Sequence, residues 1–293
     1  MDDQLRQQAI ELYDRFTHDG MERRDFFAAM TRLAGGAAAA NLLIGSIAAS
    51  PVAAAIVPAD DKRLRTGMTS LRGAAGQDAY KVYFAEPRAR SAKRGTVIVI
   101  HENRGLNEHI RDVARRLALA GFYAVAPDFL SPSGGTPANE DAARTAIGKL
   151  DLGAATAAGV AMLDQLRARK SGNGPVGMVG FCWGGAYVNR VAVAAGAKLT
   201  AGVAYYGPAP DPAEARRVAA PLMLHYAGLD DRVNATGRPW VAALKAAGKK
   251  VETFTYAGVN HAFNNDTSVE RYDKPAAELA WRRTLAFFTR HLR

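Results

Sequence analysis

Two patterns of apolar residues alternate along this chain: short unbroken runs, and longer stretches in which apolar positions recur every three or four residues. The runs at 96–100, 122–126, 176–180, 199–206, 222–226 and 251–256 read as strands, and those apolar throughout read as strands buried on both faces. Two further strands, 68–71 and 79–85, are joined by a glycine-bounded turn at 73–76, and the second is ended by Pro87. Residues 108–120 carry a helical stripe of Ile110, Val113, Ala114, Leu117 and Leu119 and stop at Gly121. Helices are likewise predicted at 154–169, 186–195, 212–218, 239–247 and 276–292, with loops at 131–139 and 171–174. This alternation, without repeat or linker, predicts an α/β fold: one doubly wound domain with a mostly parallel sheet and helices on both faces.

The first sixty residues break the pattern. Residues 2–16 are a polar helical stretch in which Leu5, Ile10, Leu12, Tyr13 and Phe16 are only loosely periodic. Arg23-Arg24-Asp25-Phe26-Phe27 follows, then an Ala/Gly-rich apolar stretch from Ala34 to Ile47 that closes in Ala53-Ala54-Ala55. A paired arginine, Phe, a weak apolar region and small residues resemble a twin-arginine export signal. The long acidic lead-in and Arg32 depart from that pattern, and the alternative is an amphipathic N-terminal helix packed on the domain. The stretch is too broken for a stable membrane span. The expected division is a leader at 1–60 and a folded domain at 61–293. The product would be exported or periplasmic, with the export machinery as the leader's partner, and otherwise cytoplasmic.

Charge changes this picture little. The chain is 293 residues long with a formal charge of +10; the leader holds 5 basic and 8 acidic residues, so the domain carries 33 against 20. The basic residues are scattered in pairs such as Arg115-Arg116, Arg216-Arg217 and Lys249-Lys250, without interleaved aromatic residues. That argues for a solvated basic face and against a nucleic-acid platform. One cysteine excludes an internal disulfide. No Cys/His cluster indicates a metal, and no Gly-Lys-Ser/Thr loop indicates a nucleotide, so no cofactor is expected.

Candidate chemistry begins where the run at 176–180 ends in Gly180-Phe181-Cys182-Trp183-Gly184. A Gly-x-Cys-x-Gly pentad between strand and helix has the spacing of a nucleophile elbow, because a strained turn needs small neighbours for the strand and helix to approach. The helix N-terminus favours a thiolate, and the Trp183 N–H is placed to meet an oxyanion. The competing reading is a buried Cys beside glycines that merely close a turn. A base and its orienter follow in hydrolase order. The strand at 222–226 runs into Gly228-Leu229-Asp230-Asp231-Arg232-Val233, and the strand at 251–256 into Gly258-Val259-Asn260-His261-Ala262-Phe263. Asp230 is preferred to Asp231 by its spacing. His261 is preferred to His18 in the leader, His109 at an exposed helix start, His101 at a strand end, His225 inside a strand and the terminal His291.

From about residue 67 onward the chain resembles the dienelactone hydrolase (carboxymethylenebutenolidase-like) family of α/β-hydrolases. The residues that carry the likeness are Gly180-Phe-Cys-Trp-Gly-Gly185, Gly228-x-x-Asp230-x-x-Val233, Gly258-x-x-His261-x-Phe263, His101-Glu102, Ala126-Pro-Asp128 and Tyr205-Tyr-Gly207. The leader before His-Glu-Asn-Arg-Gly-Leu resembles an exported branch. The resemblance implies a single α/β-hydrolase domain in which Cys182 is the nucleophile, His261 the base and Asp230 its orienter. Glu102 would help to form the thiolate, and the backbone N–H groups of Asn103 and Trp183 would make the oxyanion hole; the alternative for Glu102 is a surface ion pair with Arg104. The family's carboxylate-binding arginines are missing after Asp128 and just after His261, where Phe129-Leu130-Ser131-Pro132 and Asn264-Asn265 stand. Arg104 is the candidate replacement, with Tyr206 and Phe263 as further substrate-binding candidates. The expected activity is hydrolysis of a lactone or ester through an acyl-enzyme by a monomer. The alternatives are a thioesterase or C–C hydrolase and a non-catalytic binding protein of the cell envelope.

Overall fold

A computed structural model describes residues 3–48, 55–89, 95–169 and 174–292. The small-residue site at 53–54 and the turn at 171–173 lie outside the described residues. Three N-terminal helices come first: α1 (Asp3–His18), α2 (Arg23–Ala34) and α3 (Ala37–Ile47). Strands β1 (Leu64–Arg72), β2 (Ala79–Pro87) and β3 (Thr96–Ile100) lead to α4 (Glu108–Leu119) and β4 (Tyr123–Pro127). Then follow α5 (Glu140–Gly148), α6 (Leu152–Arg167), β5 (Val176–Phe181), α7 (Trp183–Ala194), β6 (Ala201–Tyr205) and β7 (Leu222–Ala227). The chain ends with α8 (Asp231–Ala246), β8 (Val251–Tyr256) and α9 (Lys274–His291).

The eight strands form one sheet in the order β1-β2-β4-β3-β5-β6-β7-β8. β2 runs antiparallel to both β1 and β4, and every other pairing is parallel. Strand periodicity of two sends Val97 and Val99 to one face and Ile98 and Ile100 to the other. On the first face α4 and α9 cover the sheet with Ile110, Val113, Leu117, Phe287 and Phe288; on the second, α6, α7 and α8 do so with Met162, Val188, Val191, Trp240 and Leu244. Each of these large apolar side chains contributes about 1.5–3 kcal/mol by leaving water. Both faces are therefore largely apolar, and the candidate catalytic residues stand on loops at the strand ends.

Two elements differ from expectation. α8 begins at Asp231, eight residues before Pro239, which lies inside the helix. A proline usually marks the first helical turn, but Asp230 caps this helix from outside by accepting a hydrogen bond from the Val233 N–H at 3.2 Å. α5, within the stretch after the 131–139 loop, is started by Asn139, whose side chain accepts from the Ala142 N–H at 2.9 Å.

The three N-terminal helices pack on each other around Ile10, Phe16, Phe26, Met30, Leu43 and Ile47, and this small core contains no domain residue. α2 and α3 meet at a 107° bend at Gly35-Gly36, and no single helix among the described residues is long and apolar enough to cross a membrane. The bundle sits on the domain through polar contacts: the Gln7–Asn260 amide pair at 3.1 Å, Arg144 donating to the Phe16 carbonyl at 2.9 Å, and the Ser268 hydroxyl donating to the Ile47 carbonyl at 2.6 Å. Arg23 of the arginine pair forms an ion pair with Asp141, whereas Arg24 is exposed.

Candidate active site

The site lies at the carboxyl ends of β3, β5, β7 and β8. Cys182 joins β5 to α7 at φ 55° and ψ −115°, a left-handed conformation that a non-glycine residue adopts only under strain. The neighbouring glycines make the turn possible. A Cβ on Gly180 would stand 2.1 Å from the Gly184 carbonyl oxygen, and one on Gly184 would stand 2.5 Å from the Ile100 oxygen. Trp183 is the first residue of α7, so its N–H is among those a helix leaves without an internal partner. Its ring stacks on His101 at 5.3 Å and 13°.

His261 and Asp230 meet from adjacent loops. His261 Nδ1 lies 2.6 Å from Asp230 Oδ2 while Oδ1 caps α8, so one carboxylate both starts the helix and holds the imidazole. This double duty gives the Asp-x-x-Val spacing a physical cause. Asp231, the first residue of α8, is exposed and takes no part. Burial disfavours a charged ring at His261, yet the Asp230 carboxylate and the Cys182 sulfur beside it outweigh burial and push His261 up to about 10. Burial likewise raises the Asp230 carboxyl, but the His261 charge and hydrogen bond bring it below its usual value. His261 Nε2 is buried without a hydrogen-bond partner, leaving it free for proton exchange with a reacting group.

Glu102 follows β3 and is buried. Its Oε2 accepts from Asn265 Nδ2 at 2.8 Å, while Oε1 has no partner. The surface ion pair with Arg104 is therefore absent; Arg104 is itself buried, donates to the Tyr13 hydroxyl at 2.6 Å and lies 3.4 Å from Glu140. Asn103 lines the same cavity as Glu102, Arg104, Cys182 and His261. Tyr206, at φ 36°, packs 5.0 Å from the His261 ring with its hydroxyl unpaired. Burial, with Glu102 and Cys182 beside it, raises that hydroxyl well above its usual value and keeps it neutral. Phe263 does not reach the cavity wall: it is fully buried in the core against Tyr206 and Tyr256, where its size is used for packing.

The other histidines separate clearly. His225 is bonded to the Tyr256 and Thr284 hydroxyls at 3.0 and 3.2 Å, and burial, helped by Arg283, pushes it down to about 3. His101 is bonded to the Glu102 carbonyl and the Phe129 N–H. His109 is buried 3.0 Å from Asp266, not exposed as its helix-start position implied, because α4 presses it against the sheet. His18 is the unexpected one. Its Nε2 lies 4.0 Å from Cys182 Sγ and its ring is edge-on to His261 at 4.8 Å.

The cavity also takes residues from α1 and from the loop beyond His261 that no sequence motif marks. Arg271, ten residues past His261, brings a guanidinium to the cavity; its Nε donates to the Ser268 hydroxyl at 2.9 Å, and its guanidinium reaches Asp14 at 3.4 Å. His18 was set aside as part of the leader. The donor atoms of His18, Cys182 and His261 all lie within 4.8 Å of one another, a set that suits a thiophilic divalent cation. Such an ion would have to displace a proton held with a pKa of about 10 and sit among the Arg104 and Arg271 guanidiniums, and both cost affinity.

Comparison with known proteins places the chain in a family. Residues 80–292 match the model of the family described as "Dienelactone hydrolase family". A protein of Escherichia coli O157:H7, provisionally named a carboxymethylenebutenolidase, is 32% identical over 259 residues, covering 83% of this chain and 94% of its own. The crystal structure of a provisionally named dienelactone hydrolase from Klebsiella pneumoniae subsp. pneumoniae MGH 78578 superposes with a TM-score of 0.67 at 28% identity, over 77% of this chain and 98% of that one. A dienelactone hydrolase from Anabaena variabilis ATCC 29413 shares the α/β-hydrolase fold with a TM-score of 0.61 at 22% identity, over 79% and 100%.

Proposed function

This chain belongs to the dienelactone hydrolase family and is a hydrolase of ester or lactone bonds, and we propose that it works through a Cys182 acyl-enzyme with His261 and Asp230 as its proton-handling pair. The observation that carries this reading is the 2.6 Å His261–Asp230 contact beside a cysteine held at a strained elbow. The imidazolium favours a thiolate on Cys182, which attacks the carbonyl carbon. The resulting oxyanion is met by the Asn103 and Trp183 N–H groups, and the leaving oxygen takes its proton from His261 Nε2. Water, deprotonated by the then neutral His261, attacks the thioester and returns the thiolate. Glu102, with Oε1 free, faces the same cavity and assists the thiol's ionisation.

Substrate charge follows from the walls. Arg104 and Arg271 both line the cavity, and Arg104 Nη1 is buried without a partner. Their joint charge supports a substrate that carries a carboxylate near the scissile bond. Export of the folded enzyme by the twin-arginine route is supported by Arg23-Arg24 and the apolar stretch behind them, and a 1–60 fusion to a folded reporter tests it by cell fractionation.

The activity test is hydrolysis of a panel of neutral and carboxylated esters and lactones by the full chain. Cys182→Ala is expected to remove activity to background, and Glu102→Gln to lower kcat by about 10²–10⁴, the range of a positioned proton carrier. Full activity in Cys182→Ala would sink the mechanism.

A further inference from the structure

The cavity over Cys182 has a volume of about 10 Å³, room for one water and for no ester or lactone. The first helix takes up the missing space. Tyr13, Thr17 and His18 line the cavity alongside the domain's own residues. The Tyr13 hydroxyl accepts from Arg104 at 2.6 Å, the Asp14 carboxylate faces Arg271 at 3.4 Å, and the Thr17 carbonyl accepts from Asn103 Nδ2 at 3.4 Å. His18 covers the sulfur and the imidazole. Cys182, His261, Arg104, Arg271 and the Asn103 side chain therefore already face α1. We propose that α1 is a built-in plug that imitates an anionic substrate: Asp14 and Tyr13 occupy the guanidiniums and His18 the reaction centre, so the site opens only when the N-terminal bundle lifts away.

This inference rests on the hydrolase reading of the same site and adds its regulation. Reversibility follows from how the bundle is built. Its apolar core is its own and holds no domain residue, so that core stays covered when the bundle leaves the domain. Its contacts with the domain include hydrogen bonds and ion pairs, which water replaces at small net cost, together with the Arg144 and Arg271 guanidiniums over the Phe16 and Tyr13 rings. Seating α1 also buries the Asp14 carboxylate and the His18 ring, which works against docking: burial raises the first group's pKa and lowers the second's.

Cys182 is the chain's one thiol, so its alkylation reports access without requiring turnover. The test compares iodoacetamide with a bulky maleimide on the full chain, on Phe26→Asp and on His18→Ala. Phe26 stacks on Phe16 at 4.3 Å inside the bundle, so Phe26→Asp breaks the bundle and spares the domain core. In Phe26→Asp both reagents, and kcat/KM for esters, should gain at least about tenfold, the factor by which a closed population hides the site. His18→Ala should speed iodoacetamide more than maleimide. A specific protease site placed within residues 49–54 gives a second route: after the cut, the leader should come away on gel filtration and the same gain appear. Unchanged labelling in Phe26→Asp with the bundle shown released by limited proteolysis, a cut leader that cannot be removed, or a fall in kcat/KM on release would each overturn the proposal. Faster labelling without hydrolysis of any ester would sink the hydrolase reading and leave the plug standing.

Discussion

The N-terminal bundle and the sheet domain hold their helices by opposite means. In the domain, α4, α6, α7, α8 and α9 are seated by apolar side chains that alternate from both faces of one sheet. The bundle has its own core around Phe16, Phe26 and Ile47 and meets the domain through side-chain amides, guanidiniums, carboxylates and backbone carbonyls. Apolar layers give an assembly that comes apart only by unfolding, whereas a polar seam between two separate cores permits one body to leave with both intact. The chemistry sits at that seam, with His261 and Cys182 on the permanent side and His18 on the detachable one.

The sharpest way to separate the two sides is Asp230→Asn. Losing the carboxylate that fixes the His261 tautomer should lower kcat by about 10³–10⁴, as in other nucleophile–His–Asp systems. Bundle docking, read as proteolytic protection of residues 3–48, should stay as in the wild type; loss of that protection would show that the bundle depends on the catalytic charges.

A pH profile sharpens the contrast further. His261 is held near 10 in the folded chain, against about 6.5 when unfolded. A raised folded pKa adds stability that is complete below the unfolded value and drains away as pH climbs to the folded one. The domain's Tm should therefore fall from pH 7 to 10, and Asp230→Asn should flatten that slope. A wild-type Tm constant over this window would contradict a protonated, carboxylate-held His261.

The smallest expected effect lies at the seam itself. Ser268→Ala removes the hydrogen bond to the Ile47 carbonyl, worth about 1 kcal/mol, and with it the acceptor of Arg271 Nε. Hydrogen exchange should quicken in α1–α3 and stay unchanged in β3 and β5. Faster exchange in the sheet would mean that the two cores unfold as one.

What the sequence disclosed follows the same division. The eight strands, and the positions of Cys182, Asp230 and His261 on the loops that follow three of them, were legible because apolar runs and turn residues are local signals. Asp230 was separable from Asp231 because its spacing to Val233 is that of a helix cap. Arg271 and His18 were not legible. Arg271 reaches the cavity through a loop folded back on Ser268, and His18 meets Cys182 across 164 residues of chain, a proximity created by docking and by no local pattern. The start of α8 was hidden by Pro239, which read as a first-turn residue and stands instead in mid-helix.

The covalent connection from Ile47 at the end of α3 to Val57, which is bonded to Asp112 and Arg115 of α4, turns α1 into a competitor that never dilutes. Covalent attachment through a short connection sets an effective concentration on the order of millimolar. Even a weak intrinsic affinity then keeps the site occupied, and an incoming ester must outbid a partner present at constant local strength. Its apparent KM rises by the ratio of that effective concentration to the helix's own dissociation constant. A single cut between Ile47 and Val57 would make the competition bimolecular, and the same enzyme would then grow more active simply on dilution.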